Sequence, residues 1–235
     1  MIIVTDAHIS SAAGNSATFF EMLRAFEETA GDLIFLGDIF DLWIALPGFE
    51  QEIHREFLAW CRTQKGRRKI GFIEGNHEFF LARKKGDAFS WCTDGPCRDD
   101  GRGHLFCHGD QINRKDRNYL RFRRLVRNSV TRMLLKHIPL GPELAEQVRR
   151  GMKNTNPVFR KMFPENEITA FGKDCFRDRR VRTVFVGHFH REYVMPFSPG
   201  RRLYLLPDWL STEKVALYRE ATGEMILSHW REMPV

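Results

Sequence analysis

Five short polar clusters carry the residue types of a metal-dependent hydrolytic site: Asp6-Ala7-His8, Gly37-Asp38-Ile39-Phe40-Asp41, Gly75-Asn76-His77-Glu78, His108-Gly109-Asp110 and Gly187-His188-Phe189-His190. Carboxylate, imidazole and amide form a hard-to-borderline donor set, which suits Mn²⁺, Fe²⁺ or Zn²⁺ better than Ca²⁺ or a thiolate-dependent metal. The ligand count fits two ions. A carboxylate can bridge two cations through its two oxygens, and Asp38 is the natural bridge because its cluster lies between the other ligand groups. Asp6, His8 and His190 then complete one site, and Asn76, His108 and His188 the other. Two cations about 3.5–4 Å apart can hold and deprotonate a bridging water while stabilising charge on a transferring phosphoryl group. A lone Asp-x-His or His-x-His is more often an ordinary polar pair. Five clusters in this order, each closing an apolar run, make a metal centre the expected outcome. Asp41 is expected to orient a ligand as an outer acceptor, and Asp110 to do the same for His108. His54, His104, His137 and His229 have no partner cluster and are assigned no chemistry.

The elements that must position these clusters follow from the apolar runs in front of them. Met1–Thr5, Leu33–Leu36, Lys69–Ile73, His104–Cys107 and Val181–Val186 read as buried strands ending in polar loops. Helix-like segments, roughly Ser16–Thr29 and Gln51–Gln64, lie between the first three, with Phe19, Phe20, Leu23 and Phe26 marking an apolar face. Alternating strands and helices argue for an α/β sheet, whose strand ends are where a site is placed. Glycines beside the ligands allow the sharp turns that aim them at one point. After His190 the pattern changes to hairpin strands at Tyr193–Pro196, Arg202–Leu206, Lys214–Tyr218 and Met225–Trp230. Residues 114–180 interrupt the strand pattern and read as a helical cap inserted into a core of 1–113 and 181–235. Its first helix shows Tyr119, Phe122, Val126, Val130 and Met133 at three- and four-residue spacing, and Pro139, Gly141 and Pro142 break the insertion into at least two helices.

Composition bounds the class. At 235 residues, 43% hydrophobic and 29% charged, the chain suits one folded domain of enzyme size, with or without an insertion. It has no run long enough to span a bilayer, and its first residues do not read as a signal peptide, so cytoplasmic residence is expected. Five cysteines without repeated close pairs fit reduced thiols; Cys92 and Cys97 lack the second pair that a structural zinc site would need. The net charge of +7 is uneven: Gln111–Arg180 holds 18 Lys and Arg against 7 Asp and Glu, a local +11 that leaves −4 elsewhere. That field suits an anionic partner, or is simply a solvated surface.

The ordered clusters resemble the calcineurin-like metallophosphoesterase superfamily over nearly the whole chain. The resemblance implies two β-sheets packed face to face with helices outside, a four-layer sandwich with a dinuclear centre at one edge. It also implies that His77 contacts the phosphate and assists the leaving oxygen. Within the superfamily the chain resembles the UDP-2,3-diacylglucosamine hydrolases of lipid A synthesis. The matching residues are Gly37–Trp43, Phe79-Phe80-Leu81, the span from His108 through Asp116 and Tyr119, the basic insertion and the Trp209 segment. Those enzymes attack the α-phosphorus of a diacylated sugar nucleotide and release UMP, usually with Mn²⁺, while the cap holds the acyl chains. The chain departs from them where they commonly carry Arg-Asp after the asparagine: here stand His77 and Glu78, the form of the wider superfamily. Only histidine also offers a proton near neutral pH.

The resemblance makes Asp116 a candidate for nucleotide or sugar contact; an acid complementing a helix N-terminus is the plainer reading. Lys153, Asn154 and Asn156 are candidate phosphate or sugar contacts at the cap edge. The first cap helix combines arginines at 114, 117, 121, 123, 124, 127 and 132, and Lys115, with an apolar stripe, which suits an anionic membrane surface; a core-facing stripe with a solvated basic back is the alternative. The expected activity is metal-dependent hydrolysis of a lipid-linked sugar nucleotide on the inner face of the inner membrane, with no stable nucleic-acid partner. A phosphodiesterase or nuclease whose cap grips a polyanion, and a scaffold that has lost catalysis, are the alternatives. The sequence assigns no oligomeric state.

Overall fold

The computed structural model describes residues 1–136 and 163–234. In chain order the elements are β1 (Ile2–Val4), α1 (Ser16–Phe26), β2 (Leu33–Phe35), β3 (Trp43–Ile44), α2 (Glu52–Lys65), β4 (Ile70–Ile73), β5 (Glu78–Phe79), α3 (Leu81–Lys85), β6 (Trp91–Thr93), β7 (Cys97–Asp99) and β8 (His104–Cys107). There follow α4 (Arg117–Val126), α5 (Ser129–Lys136), α6 (Glu165–Cys175), β9 (Thr183–Val186), β10 (Tyr193–Ser198), β11 (Arg201–Leu205), α7 (Trp209–Thr212), β12 (Lys214–Arg219) and β13 (Glu224–His229).

The central strands β1, β2 and β4 are buried at every position because both faces of the sheet are covered there. On β1 and β2 the side chains alternate. Ile3 and Ile34 point into a core shared with Phe106 and Phe185 of the second sheet, while Ile2, Val4, Leu33 and Phe35 point outward against α1 and α2. The first sheet runs β13-β12-β1-β2-β4-β6, with β1, β2, β4 and β6 parallel. The second runs β10-β11-β9-β8-β7, with β8, β9 and β11 parallel. Phe19, Phe20, Leu23 and Phe26 of α1 are buried, as their spacing predicts. Ile168 of α6 packs with Val184 and Leu203 on the outer face of the second sheet, completing the α/β/β/α layers.

The late hairpins divide between the layers: β10–β11 finishes one sheet, and β12–β13 returns to the other beside β1. One expectation needs correction. The cysteines are not all thiols, because Cys97 and Cys107 are directly opposed on antiparallel β7 and β8, with Cα atoms 4.3 Å apart, and are joined as a disulfide. The cysteine spacing carries no sign of this, since β7 is too short and polar to announce itself. The apolar stripe of α4 and α5 is divided, with Val126 packed against the cluster of Ile44, Phe49 and Phe79. Phe122, Leu125, Val130, Met133 and Leu134 are exposed, while Tyr119, Arg123 and Arg127, each four residues apart, form the inward face. The expected break at Pro139, Gly141 and Pro142 lies outside the described residues. α4 ends earlier, and the Asn128 side chain accepts from Thr131 N at the start of α5.

Candidate metal centre

Every candidate ligand follows the C-terminal end of a parallel strand. Asp6 and His8 follow β1, Asp38 follows β2, Asn76 follows β4, His108 follows β8, and His188 and His190 follow β9. The two sheets therefore deliver their polar loops to one edge. Asp6, His8, Asp38, His188 and His190 all adopt positive φ, between 44° and 66°. For residues other than glycine, left-handed backbone costs about 1–3 kcal/mol each and persists where surrounding structure over-determines it. Here the cross-loop hydrogen bonds do so: Asp6 N donates to Gly37 O (3.1 Å) and His8 N to Asp38 O (2.9 Å). Asn15 adds a tie by donating from Nδ2 to the carbonyls of Ala7 and His8. At Gly75 a Cβ would stand 2.2 Å from Asp38 Oδ1, so only glycine lets the asparagine loop approach that carboxylate.

The side chains form three groups whose ligand atoms lie within 4.8 Å of one another: Asp6, His8 and His190; Asp38, His108 and His188; and His8, Asp38 and His77. Asn76 joins the second, its Oδ1 3.2 Å from His108 Nε2. His8 and Asp38 each belong to two groups, and of the two only the Asp38 carboxylate has two oxygens to share between them. His108 Nδ1 lies 2.7 Å from Leu36 O. A carbonyl can only accept, so Nδ1 carries the hydrogen and Nε2 faces Asp38 Oδ2 at 3.4 Å. Asp6 Oδ2 accepts from Thr5 Oγ1 (2.5 Å) and His188 N (2.8 Å), while buried Asp6 Oδ1 has no hydrogen-bond partner and lies 3.3 Å from His190 Nε2. A buried carboxylate oxygen without a donor, amid imidazoles, is a fit for a cation.

Electrostatics agree with that fit. Against the penalty of burial, the neighbouring His190 imidazole and the His108 charge hold the Asp6 carboxyl down at about 2. Burial opposes protonation of His108 too, but Asp38 outweighs it and pushes the imidazole up to about 10. Burial alone dominates at His8 and drives it down to about 4. The carboxylates thus hold a positive charge at the centre, the service a divalent cation performs more strongly.

The outer residues differ from expectation in instructive ways. His77 Nδ1 lies 2.5 Å from the main-chain carbonyl of Asp41, so that carbonyl orients the ring and turns Nε2 toward Asp38 Oδ2, 3.9 Å away. Asp110 does not orient His108, whose Nδ1 is taken by Leu36 O; its Oδ2 instead accepts from Tyr119 OH (2.5 Å) and Arg123 Nε (2.6 Å). Asp116 caps α4 by accepting from Tyr119 N (2.9 Å), the plainer of its two readings. Lys153, Asn154 and Asn156 lie outside the described residues. Sequence reasoning missed two further carboxylates. Glu78, fully buried, accepts from the main-chain N–H groups of Asp38, Ile39, Phe40 and Gly75 and so knits two ligand loops together; burial and then the Asp38 charge push it up to about 7. Asp208 caps α7 through Ser211 and stands 3.7 Å from His190 Nδ1. The position of Glu78 beside Asn76 and His77 was a signal for the first. Nothing in sequence marks Asp208 beyond its capping pattern with Ser211. A cleft of about 230 Å³ lined by Ile9, Ser10, Asp41, Leu42, Phe49 and His54 opens beside the His8 loop.

A paired-sheet fold whose strand ends gather aspartates, histidines and an asparagine defines a metal-dependent phosphoesterase. The chain belongs to the calcineurin-like phosphoesterase family, whose model matches residues 1–192. It is similar to a UDP-2,3-diacylglucosamine hydrolase of Pseudomonas putida, at 29% identity over 89% of this chain and 90% of that protein. It is 25% identical to the protein of that name from Pseudomonas syringae pv. syringae, over 89% of this chain and 88% of the relative. Among solved structures it is similar to a dimetal phosphatase from Danio rerio, at a TM-score of 0.43 and 12% identity, over 92% of this chain and 91% of that one. No described helix is long and apolar enough to cross a membrane.

Proposed function

We propose that this hydrolase cleaves the pyrophosphate of a UDP-2,3-diacylated glucosamine, releasing UMP and the diacylated sugar 1-phosphate. The observation that carries the reading is the similarity to hydrolases named for that substrate along nearly the full length of both chains. The outward apolar face of α4 and α5, with exposed Arg117, Arg121 and Arg124 beside it, supports it independently. Such a face suits an anionic bilayer from which an amphiphile is drawn, which supports a peripheral position on the cytoplasmic side.

In this reading Asp6, His8 and His190 would hold one divalent cation, Asn76, His108 and His188 would hold a second, and Asp38 would be shared between them. Mn²⁺ is the expected metal. The bound pair would supply an activated water and neutralise charge on the phosphoryl oxygens. The chain's own part begins with His77. Its Nδ1–H is spent on Asp41 O, so Nε2 is the atom that meets the phosphate and, when protonated, gives its proton to the departing oxygen. Glu78 keeps the Asp38 and Asn76 loops in register while this happens.

The test is UMP release from UDP-2,3-diacylglucosamine with and without Mn²⁺, beside the deacylated sugar nucleotide and a chromogenic phosphodiester. Preference for the acylated substrate is expected; turnover of the chromogenic ester alone would discard the lipid substrate and keep the hydrolase. A second reading, hydrolysis of another phosphodiester, is favoured by one feature, His77-Glu78 in place of Arg-Asp, and predicts that second outcome.

A further inference from the structure

We propose that Arg127 is a positioning residue for the hydrolytic site, clamping the loop that carries Asn76 and His77 from the end of α4. The guanidinium is 8% exposed, although it belongs to a stretch of chain rich in solvated arginines. Its Nη2 donates to Gly75 O and to Glu78 O (2.6 Å), the carbonyls on either side of the Asn76-His77 pair. Its Nη1 donates to Glu74 Oε2 at 2.5 Å, and Glu74 Oε1 in turn accepts from Ala82 N at 2.7 Å. The planar fork also lies over the Phe79 ring, 5.1 Å from its centroid. One rigid group thus spans the loop from Glu74 to Phe79 and fixes where its turn begins and ends.

Stability does not account for this arrangement. A buried ion pair gains little over apolar groups of the same volume, because both charges must be stripped of water. Arg127 Nε even lacks a partner. Both Nη atoms are directed at the loop instead, and the planar geometry is one that an ammonium cannot reproduce. Arg123, one turn earlier on the same helix face, holds Asp110 beside His108 in the same way. α4 therefore braces two ligand loops at once.

The inference rests on the reading of Asn76 as a ligand and His77 as the proton donor, and not on the lipid substrate. Three variants test it in the full chain: Glu74→Gln, Arg127→Lys, and the paired Glu74→Gln/Arg127→Met, which leaves no buried charge unpaired. Turnover of a chromogenic phosphodiester is measured with Mn²⁺, alongside Mn²⁺ affinity by calorimetry and amide exchange of residues 75–79 in metal-free protein. Outer residues that orient ligands typically contribute about 10–100-fold to metal affinity or activity. Arg127→Lys and the paired variant are expected to lose kcat in that range with KM nearly unchanged, weaken one Mn²⁺ of the two, and exchange faster at 75–79 with the sheets still protected. Methylguanidine should restore part of the paired variant's kcat, and Glu74→Gln alone should stay within a few-fold of wild type. Wild-type kcat and wild-type exchange in Arg127→Lys would overturn the proposal. If the wild-type chain turns over no ester, the functional reading fails, and loop exchange still decides for or against the clamp.

Discussion

The two halves of the proposed metal centre are built from the same residue types but stand in different surroundings. Around Asp38 and His108 the side chains are 3% and 1% exposed, and the ring of His108 is fixed by Leu36 O from the neighbouring sheet. Around Asp6 the outermost candidate ligand, His190, is 37% exposed, and its Nδ1 lies 3.7 Å from Asp208 Oδ1. The first half is assembled where the two sheets meet and inherits their rigidity. The second hangs on loops that reach toward solvent. Ligand identity therefore does not set affinity alone: the buried half should hold its ion tightly, and the open half should exchange its ion and admit the substrate oxygen.

Removing the shared residue should erase the distinction. Asp38→Ala is expected to lower turnover by about three orders of magnitude or more, about 4 kcal/mol of transition-state stabilisation, with neither metal retained on gel filtration. A variant that keeps both ions would deny the bridge. His77→Gln should leave metal content intact and reduce kcat by about 10²–10⁴-fold, the range for a positioned proton donor, with the deficit shrinking for esters whose leaving oxygen needs no proton. Equal loss for good and poor leaving groups would remove that role.

The next comparison sets the halves against each other. His108→Ala should lose an ion that added Mn²⁺ cannot restore. Asp208→Asn should weaken the exchangeable ion by about tenfold, as expected for loss of an orienting carboxylate, and recover at higher Mn²⁺. The smallest effect is a control at the far end of β8. Asp100 lies 2.8 Å from His104 Nδ1. Burial opposes its ionisation, but that bond and the N–H groups of Arg102 and His104 hold its carboxyl down at about 2. A carboxyl depressed in the folded state stabilises it above the ordinary value near 4 and ceases to do so as pH falls toward 2. Asp100→Asn should lower Tm slightly at pH 7, converge with wild type near pH 2, and leave turnover alone.

The candidate ligands stood out in the sequence because each ends a run of apolar residues. Ile2–Val4 and Leu33–Phe35 are buried on both faces, so the polar residues that follow stand out at the strand ends. Strands β6 and β7 were not legible: Trp91–Thr93 is only half-buried and Cys97–Asp99 is mostly exposed, so neither has the apolar contrast that marks a strand. The disulfide was invisible for the same reason, since it depends on the register of β7 against β8. The inward side of α4 was not legible either. Periodicity located the helix and left two alternatives, an apolar stripe on an anionic surface or one facing the core; in the structure Asp110 and Glu74 draw Arg123 and Arg127 inward, with Val126 beside them. Pattern reports the period of a helix; the charges of the surface it meets decide which side turns in.

Calorimetric titration of metal-free protein with Mn²⁺, with phosphodiester turnover followed on the same samples, tests the asymmetry most directly. Two resolved binding events, with turnover rising only as the second and weaker one fills, are the predicted result. A single event, or full turnover after one equivalent, would contradict a centre made of one buried and one open half.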